Sequence, residues 1–133
     1  MKETIMLFHV PDKSVRLKIE TALFPLHVRL RYVQQEEYNQ TLGALLKLPD
    51  SVSAEGVYDG EPLPAAMIIF AGLPDQKLNQ ALLALRRCGV GPFPYKAVLT
   101  PTNQNWTPLD CFAELKREHE YMNQQKTKQK KED

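Results

Sequence analysis

His9, Asp12, Asp75, Thr100, Thr102, Asn103, Asn105 and Trp106, together with Gly72, are the residues of this 133-residue chain best placed to do chemistry. Each follows a short apolar run, where a strand gives way to a turn, and in α/β proteins ligands collect at such points. A histidine there can exchange a proton near neutral pH. Carboxylates, hydroxyls and amides can orient a ligand, and a glycine lets backbone approach it closely. Each residue also has a plainer explanation. Asp12, Asp75 and Thr107 stand where helix caps belong. Asn103 and Asn105 are common turn formers. Trp106, next to a cap, can staple the last helix to the sheet. A histidine at a strand end is commonly hydrogen-bonded rather than a base.

Four apolar runs must position these residues. Thr4–Val10 and Ala65–Ala71 are apolar on successive positions, as strands covered on both faces are. His27–Val33 alternates polar and apolar, which suits an edge strand with Arg29 and Arg31 on its wet side. Tyr95–Thr100 is also half polar, with Lys96 snorkelling from the edge. Between the strands lie helical patterns: Lys13–Phe24 with Val15, Ile19, Ala22 and Leu23 on one face, about Glu36–Leu48 interrupted by Gly43, Asp75–Arg87 with Leu78, Ala81, Leu82 and Leu85, and Pro108 to about Met122. The sequence Thr107-Pro108-Leu109-Asp110 opens the last one close to a capping box.

The order βαβαβαβα argues for an α/β fold: a four-stranded, mainly parallel sheet of order 2-1-3-4 with helices on both faces, a short flavodoxin-like or receiver-like arrangement. A split βαβ plait is the alternative. The site is then expected where strand order reverses, between the first and third strands. There the loops His9–Asp12, Ala71–Asp75 and Thr100–Trp106 would share a cleft. Residues 1–122 form the single domain, with a long connecting loop at 49–64 that reads as a lid, a hairpin-like excursion or a linker. Residues 123–133 have nothing apolar to bury and read as a disordered basic tail.

Composition narrows the function. The chain carries 17 basic and 16 acidic residues, and setting aside the tail's four lysines and two acids leaves 13 against 14. The body has no basic surplus for a phosphate backbone, so nucleic acid is not the expected partner. No apolar run is long enough for a membrane span. Two distant cysteines, Cys88 and Cys111, give neither a disulfide framework nor a zinc pattern, and a reduced, cytoplasmic setting is expected. No glycine-rich run ends in Gly-Lys-Ser/Thr, no dinucleotide fingerprint follows a strand, and no Gly-x-Ser-x-Gly elbow occurs. Glu114, Glu118 and His119 share a helix but lack the His-Glu-x-x-His order. A receiver would need an aspartate at the end of the third strand, where the chain reads Phe70-Ala71-Gly72.

One stretch carries a resemblance. Phe70-Ala71-Gly72, the helix around Leu78–Leu85, the string Lys96-Ala97-Val98-Leu99-Thr100-Pro101-Thr102-Asn103, then Asn105-Trp106-Thr107, Glu114-Leu115 and Glu118-His119 resemble a bacterial family known as the domain of unknown function numbered 3783, over roughly Pro64 to Tyr121. The family has no established activity, so the resemblance implies no catalytic residue and only draws attention to the turn Thr100–Trp106.

The reading that follows is a small α/β module without catalysis, cofactor or metal. It would bind a protein partner, a second copy or a small ligand through loops at the carboxyl edge of the sheet. A binder or hydrolase of a nucleotide or other small metabolite, using the same loops, is the second reading. Weak nucleic-acid association through Arg29, Arg31 and the lysine tail is the third.

Overall fold

The structure is a computed structural model describing residues 2–132, with side chains as far as residue 125. The elements run β1 (Thr4–Phe8), α1 (Lys13–Leu23), β2 (Arg29–Val33), α2 (Leu42–Leu45), β3 (Met67–Ala71), α3 (Asp75–Arg87), β4 (Lys96–Val98) and α4 (Pro108–Glu132). Every residue of β1 and β3 is buried. These two continuous apolar runs therefore lie in the middle of a four-stranded sheet of order β2-β1-β3-β4, and the half-polar strands form its edges. Helices cover both faces. Ile5, Leu7, Ile68 and Phe70 pack with Ile19, Leu23, Ala81 and Leu85 of α1 and α3. Met6, Phe8, Met67 and Ile69 pack with Leu42 and Leu45 of α2 and Cys111 and Phe112 of α4.

The sheet is mainly parallel, in the pairs β1–β2 and β3–β4. Its central pair is antiparallel: Thr4 faces Ala71, Met6 faces Ile69 and Phe8 faces Met67. The expectation that the first and third strands run the same way is corrected here. An apolar run covered on both faces looks the same from either end, so periodicity does not fix its direction. The connection fixes it. Beyond α2 the chain runs irregularly through residues 46–66 and enters β3 from the end of the sheet where β1 finishes.

The consequence is a molecule of two βαβα halves related by an approximate two-fold through the Met6–Ile69 pair. Strand and turn repeat: Ile5-Met6-Leu7-Phe8-His9-Val10-Pro11-Asp12 matches Ile68-Ile69-Phe70-Ala71-Gly72-Leu73-Pro74-Asp75, with the second helix starting one position earlier. His9 at φ 58° and Gly72 at φ 77° both take the left-handed conformation that turns the chain off its strand. α1 and α3 lie on one face, α2 and α4 on the other.

One further expectation changes. The helix expected over about Glu36–Leu48 is a 3-10 turn, Gln35–Glu37, followed by the four residues of α2. The Thr41 side chain accepts from Ala44 N and restarts the helix, and Gly43 disfavours its continuation. The 49–64 loop has no regular structure but is tied down. Gln40 exchanges two hydrogen bonds with Ala54, Asn39 donates to Glu55 O and Gly56 O, and Leu63 is buried. α4 spans Pro108–Glu132. The side chains of its lysine cluster lie outside the described residues.

Candidate functional site

The antiparallel centre sends the expected site residues to opposite ends of the sheet. His9 and Asp12 follow β1 at the end where β3 begins. Gly72, Asp75 and the turn Thr100–Trp106 follow β3 and β4 at the end where β1 begins. The shared cleft expected between the first and third strands does not form.

Local geometry accounts for most of these residues. Asp12 Oδ1 accepts from Ser14 N at 2.8 Å, Ser14 Oγ at 2.7 Å and Val15 N at 3.3 Å, which caps α1. The Ser14 hydroxyl and these amides hold the Asp12 carboxyl below the usual carboxylate range. Asp75 is not a cap: Pro74 occupies that place, no side chain caps α3, and Asp75 is the acid of its first turn, where it meets the helix dipole. Asn103 is a latch. Its Oδ1 accepts from Thr100 N at 2.7 Å, its Nδ2 donates to Val98 O at 2.9 Å, and its own N donates to Thr100 Oγ1 at 3.0 Å. Asn105 donates to Pro101 O, and Trp106 O accepts from Leu42 N, which joins the turn to α2. Thr107 Oγ1 accepts from Asp110 N as a cap of α4. Thr102 is exposed. His9 lines a recess of about 140 Å³ with Val10, Pro11 and Arg16. The cysteines are structural: Cys111 is buried, which pushes its thiol up to about 11, and Cys88 Sγ donates to Leu85 O.

A larger concavity lies where sequence reasoning did not look. A cleft of about 610 Å³ opens between the start of β1, the edge strand β2 and the turn after α2. Its basic lining is Lys2, Arg29, Arg31 and Lys47; Thr4 and Gln104 add polar atoms, and Leu45, Leu46, Leu48 and Pro49 form an apolar wall. No carboxylate lines it. Arg29 and Arg31 stand opposite Thr4 and Met6 in register, and therefore on the α2 face of the sheet. Arg31 is held by Glu37, Nη2 to Oε1 at 2.8 Å and Nη1 to Oε2 at 3.3 Å, and Glu37 Oε2 also accepts from Gln34 N. The Arg31 guanidinium holds the Glu37 carboxyl below its ordinary range. Lys2, Arg29 and Lys47 have no ion pair among the described residues.

Of the residues expected at the strand ends, none lines this cleft; Arg29 and Arg31, expected only in the nucleic-acid reading, do, and so does Gln104 within the Thr100–Trp106 turn. The signal available in sequence was the pair Arg29 and Arg31 on one side of an edge strand. Sequence alone did not show that α2 stops short and leaves them uncovered. Among the described residues no group of three or more His, Cys, Asp or Glu side chains could hold a metal ion, and no helix is long and apolar enough to cross a membrane.

Residues 66–122 match the model of a family described as "Domain of unknown function (DUF3783)". The match covers β3, α3, β4 and the start of α4, and agrees with the resemblance carried by Phe70–Gly72 and Lys96–Asn103. No curated protein and no solved structure matches the chain. The turn from Thr100 to Asn103, inside the matched residues, coincides with the Asn103 latch.

Proposed function

We propose that this protein is a non-catalytic module that binds a small anion, bearing phosphate or carboxylate groups, in the cleft lined by Lys2, Arg29, Arg31 and Lys47. The observation that carries the reading is the charge of that lining: four cations and no carboxylate around one concavity. Three of those cations have no ion-pair partner among the described residues. Clefts lined by one sign of charge concentrate the opposite ion. The arginine fork suits paired oxygens, while the lysines act as point charges. The Arg31–Glu37 bridge holds one guanidinium in place, so less ordering is lost on binding. The Asn103 latch and the bond from Leu42 N to Trp106 O fix the Gln104 wall.

Calorimetric titration with pyrophosphate tests this, with inorganic phosphate and citrate as comparisons. Saturable binding is expected, weakening as salt rises. The double variant Arg29→Gln/Lys47→Gln should bind at least tenfold more weakly, about 1.4 kcal/mol. Absence of binding to all three anions, or equal binding by the variant, overturns the reading.

Support for nucleic-acid association is weaker than the sequence suggested. Arg29 and Arg31 face the cleft beside α2. α4 begins near that end and passes Tyr95, at the start of β4, through Phe112 and His119, so it leads away from the arginines.

A further inference from the structure

We propose a second ligand site on the other half of the molecule: the concavity between α3 and β4 takes a small aliphatic carboxylate, its chain against Leu82, Leu85 and Phe93 and its headgroup between Arg86 and Lys96. The concavity has a volume of about 400 Å³, within the range of small-ligand pockets. Its layout is amphiphilic. Leu85 and Phe93 are buried at its base, while Arg86 and Lys96 are exposed at its rim. Neither cation has an ion pair among the described residues. The Lys96 ammonium donates to Phe93 O, which anchors it over the apolar base and leaves two of its donors for a ligand. Burial, and secondarily the charge of Arg86, hold the Lys96 pKa below its ordinary value. A carboxylate seated between the two cations relieves that repulsion; a neutral or cationic headgroup does not.

The approximate two-fold supplies a comparison inside the chain. With α1 and α3 aligned by their buried residues, Ile19 on Ala81 and Leu23 on Leu85, one position out of step with the strand-and-turn match, Leu82, Leu85 and Arg86 occupy the places of Glu20, Leu23 and Phe24 in the first half; Lys96, opposite Ile68 as Leu30 is opposite Ile5, occupies that of Leu30. Those four also line a concavity, of about 590 Å³. The hollow therefore comes with the fold, whereas the facing cations at these two places belong to the second half alone. In the first half the corresponding positions are apolar, and Glu20 adds a negative charge, with Lys2 and Arg29 reaching the rim from the sheet side. This site shares no residue with the anion cleft beside α2 and stands or falls separately from it.

The test is an amide-shift titration of the full chain with octanoate, with 1-octanol and octylamine as controls. Octanoate is expected to give saturable shifts at Leu82, Leu85, Gly91 and Phe93, at least tenfold tighter than 1-octanol, with no octylamine response there. Hexanoate should bind more weakly, by about fourfold for each methylene removed. The Arg86→Gln/Lys96→Gln variant should lose at least tenfold for octanoate and keep its affinity for 1-octanol. If that variant melts early, Arg86→Gln alone should still lose at least threefold. Equal binding of acid and amine, shifts confined to Glu20–Leu30, or an unchanged octanoate affinity in a folded variant overturns the proposal. So does tighter binding by a short apolar peptide with a free C-terminus, which would assign the surface to a protein partner.

Discussion

The half that starts with β1 and the half that starts with β3 share a buried strand, a left-handed residue, a Pro-Asp step, a crossover helix and an edge strand; they differ in the helix that follows. α4 spans 25 residues and α2 only four. In the second half the edge strand is covered. Tyr95 lies 4.6 Å from Phe112 and 5.5 Å from His119, centroid to centroid, and Ala97 and Leu99 pack against the same cluster. In the first half the matching face of β2 carries Arg29 and Arg31, and no long helix crosses it. The two facts require each other. A long helix over that face would bury two guanidiniums, of which Arg29 has no ion pair among the described residues, and desolvating charge is costly. The same plan thus yields a filled seam on one side and an open, charged cleft on the other.

Removing the cover should hurt the second half most. Phe112→Ala should cost about 3–5 kcal/mol in chemical denaturation, since it deletes a buried ring. Leu46→Ala, a half-buried residue beside the open cleft, should cost about 1 kcal/mol. Equal losses would break the comparison.

The 3-10 turns that precede α2 and α4 also differ. Asn103→Ala should cost about 1–3 kcal/mol, because it strands the part-buried bonds to Thr100 N and Val98 O. Gln34→Ala should cost under about 1 kcal/mol, because its cap is exposed. Thermal or urea unfolding of both variants would rank them.

The left-handed positions should respond with opposite signs. Gly72→Ala should lose about 1–2 kcal/mol and His9→Gly should be neutral or gain up to about 1 kcal/mol, because a Cβ is strained at a φ of 77° or 58°. A gain at Gly72 would contradict the assigned turn.

The smallest effect is a pH dependence confined to the first half. The folded pKa of Glu37 is depressed by Arg31, so the ion pair contributes stability above the ordinary carboxyl value of 4.5. That contribution is lost as pH falls from there through the folded pKa. Glu37→Gln should flatten this part of the stability profile, and an unchanged profile would show that the pair is not formed.

Much of this was legible in the residues. Burial of Ile5–Phe8 and Ile68–Phe70 on both faces placed β1 and β3 centrally, and alternation in Arg29–Val33 placed β2 at an edge. The 2-1-3-4 order, the Asp12 cap and the extent of α3 followed from the same patterning. The direction of β3 did not, because its approach is set by residues 46–66, which have no period to read. A signal was present in the spaced recurrence of Ile5, Pro11 and Asp12 as Ile68, Pro74 and Asp75. Two like βαβ units can meet strand to strand about a two-fold, and this pattern invites that arrangement. The basic cleft was hidden for a related reason: Thr41 and Gly43 confine α2 to one turn and leave it uncovered.

Cross-strand proton contacts in β1 and β3 test the central claim most directly. The account predicts backbone contacts pairing Thr4 with Ala71, Met6 with Ile69 and Phe8 with Met67. A parallel pattern, with Thr4 beside Met67 and Phe8 beside Ala71, would contradict it, since His9 and Gly72 would then open onto a common cleft.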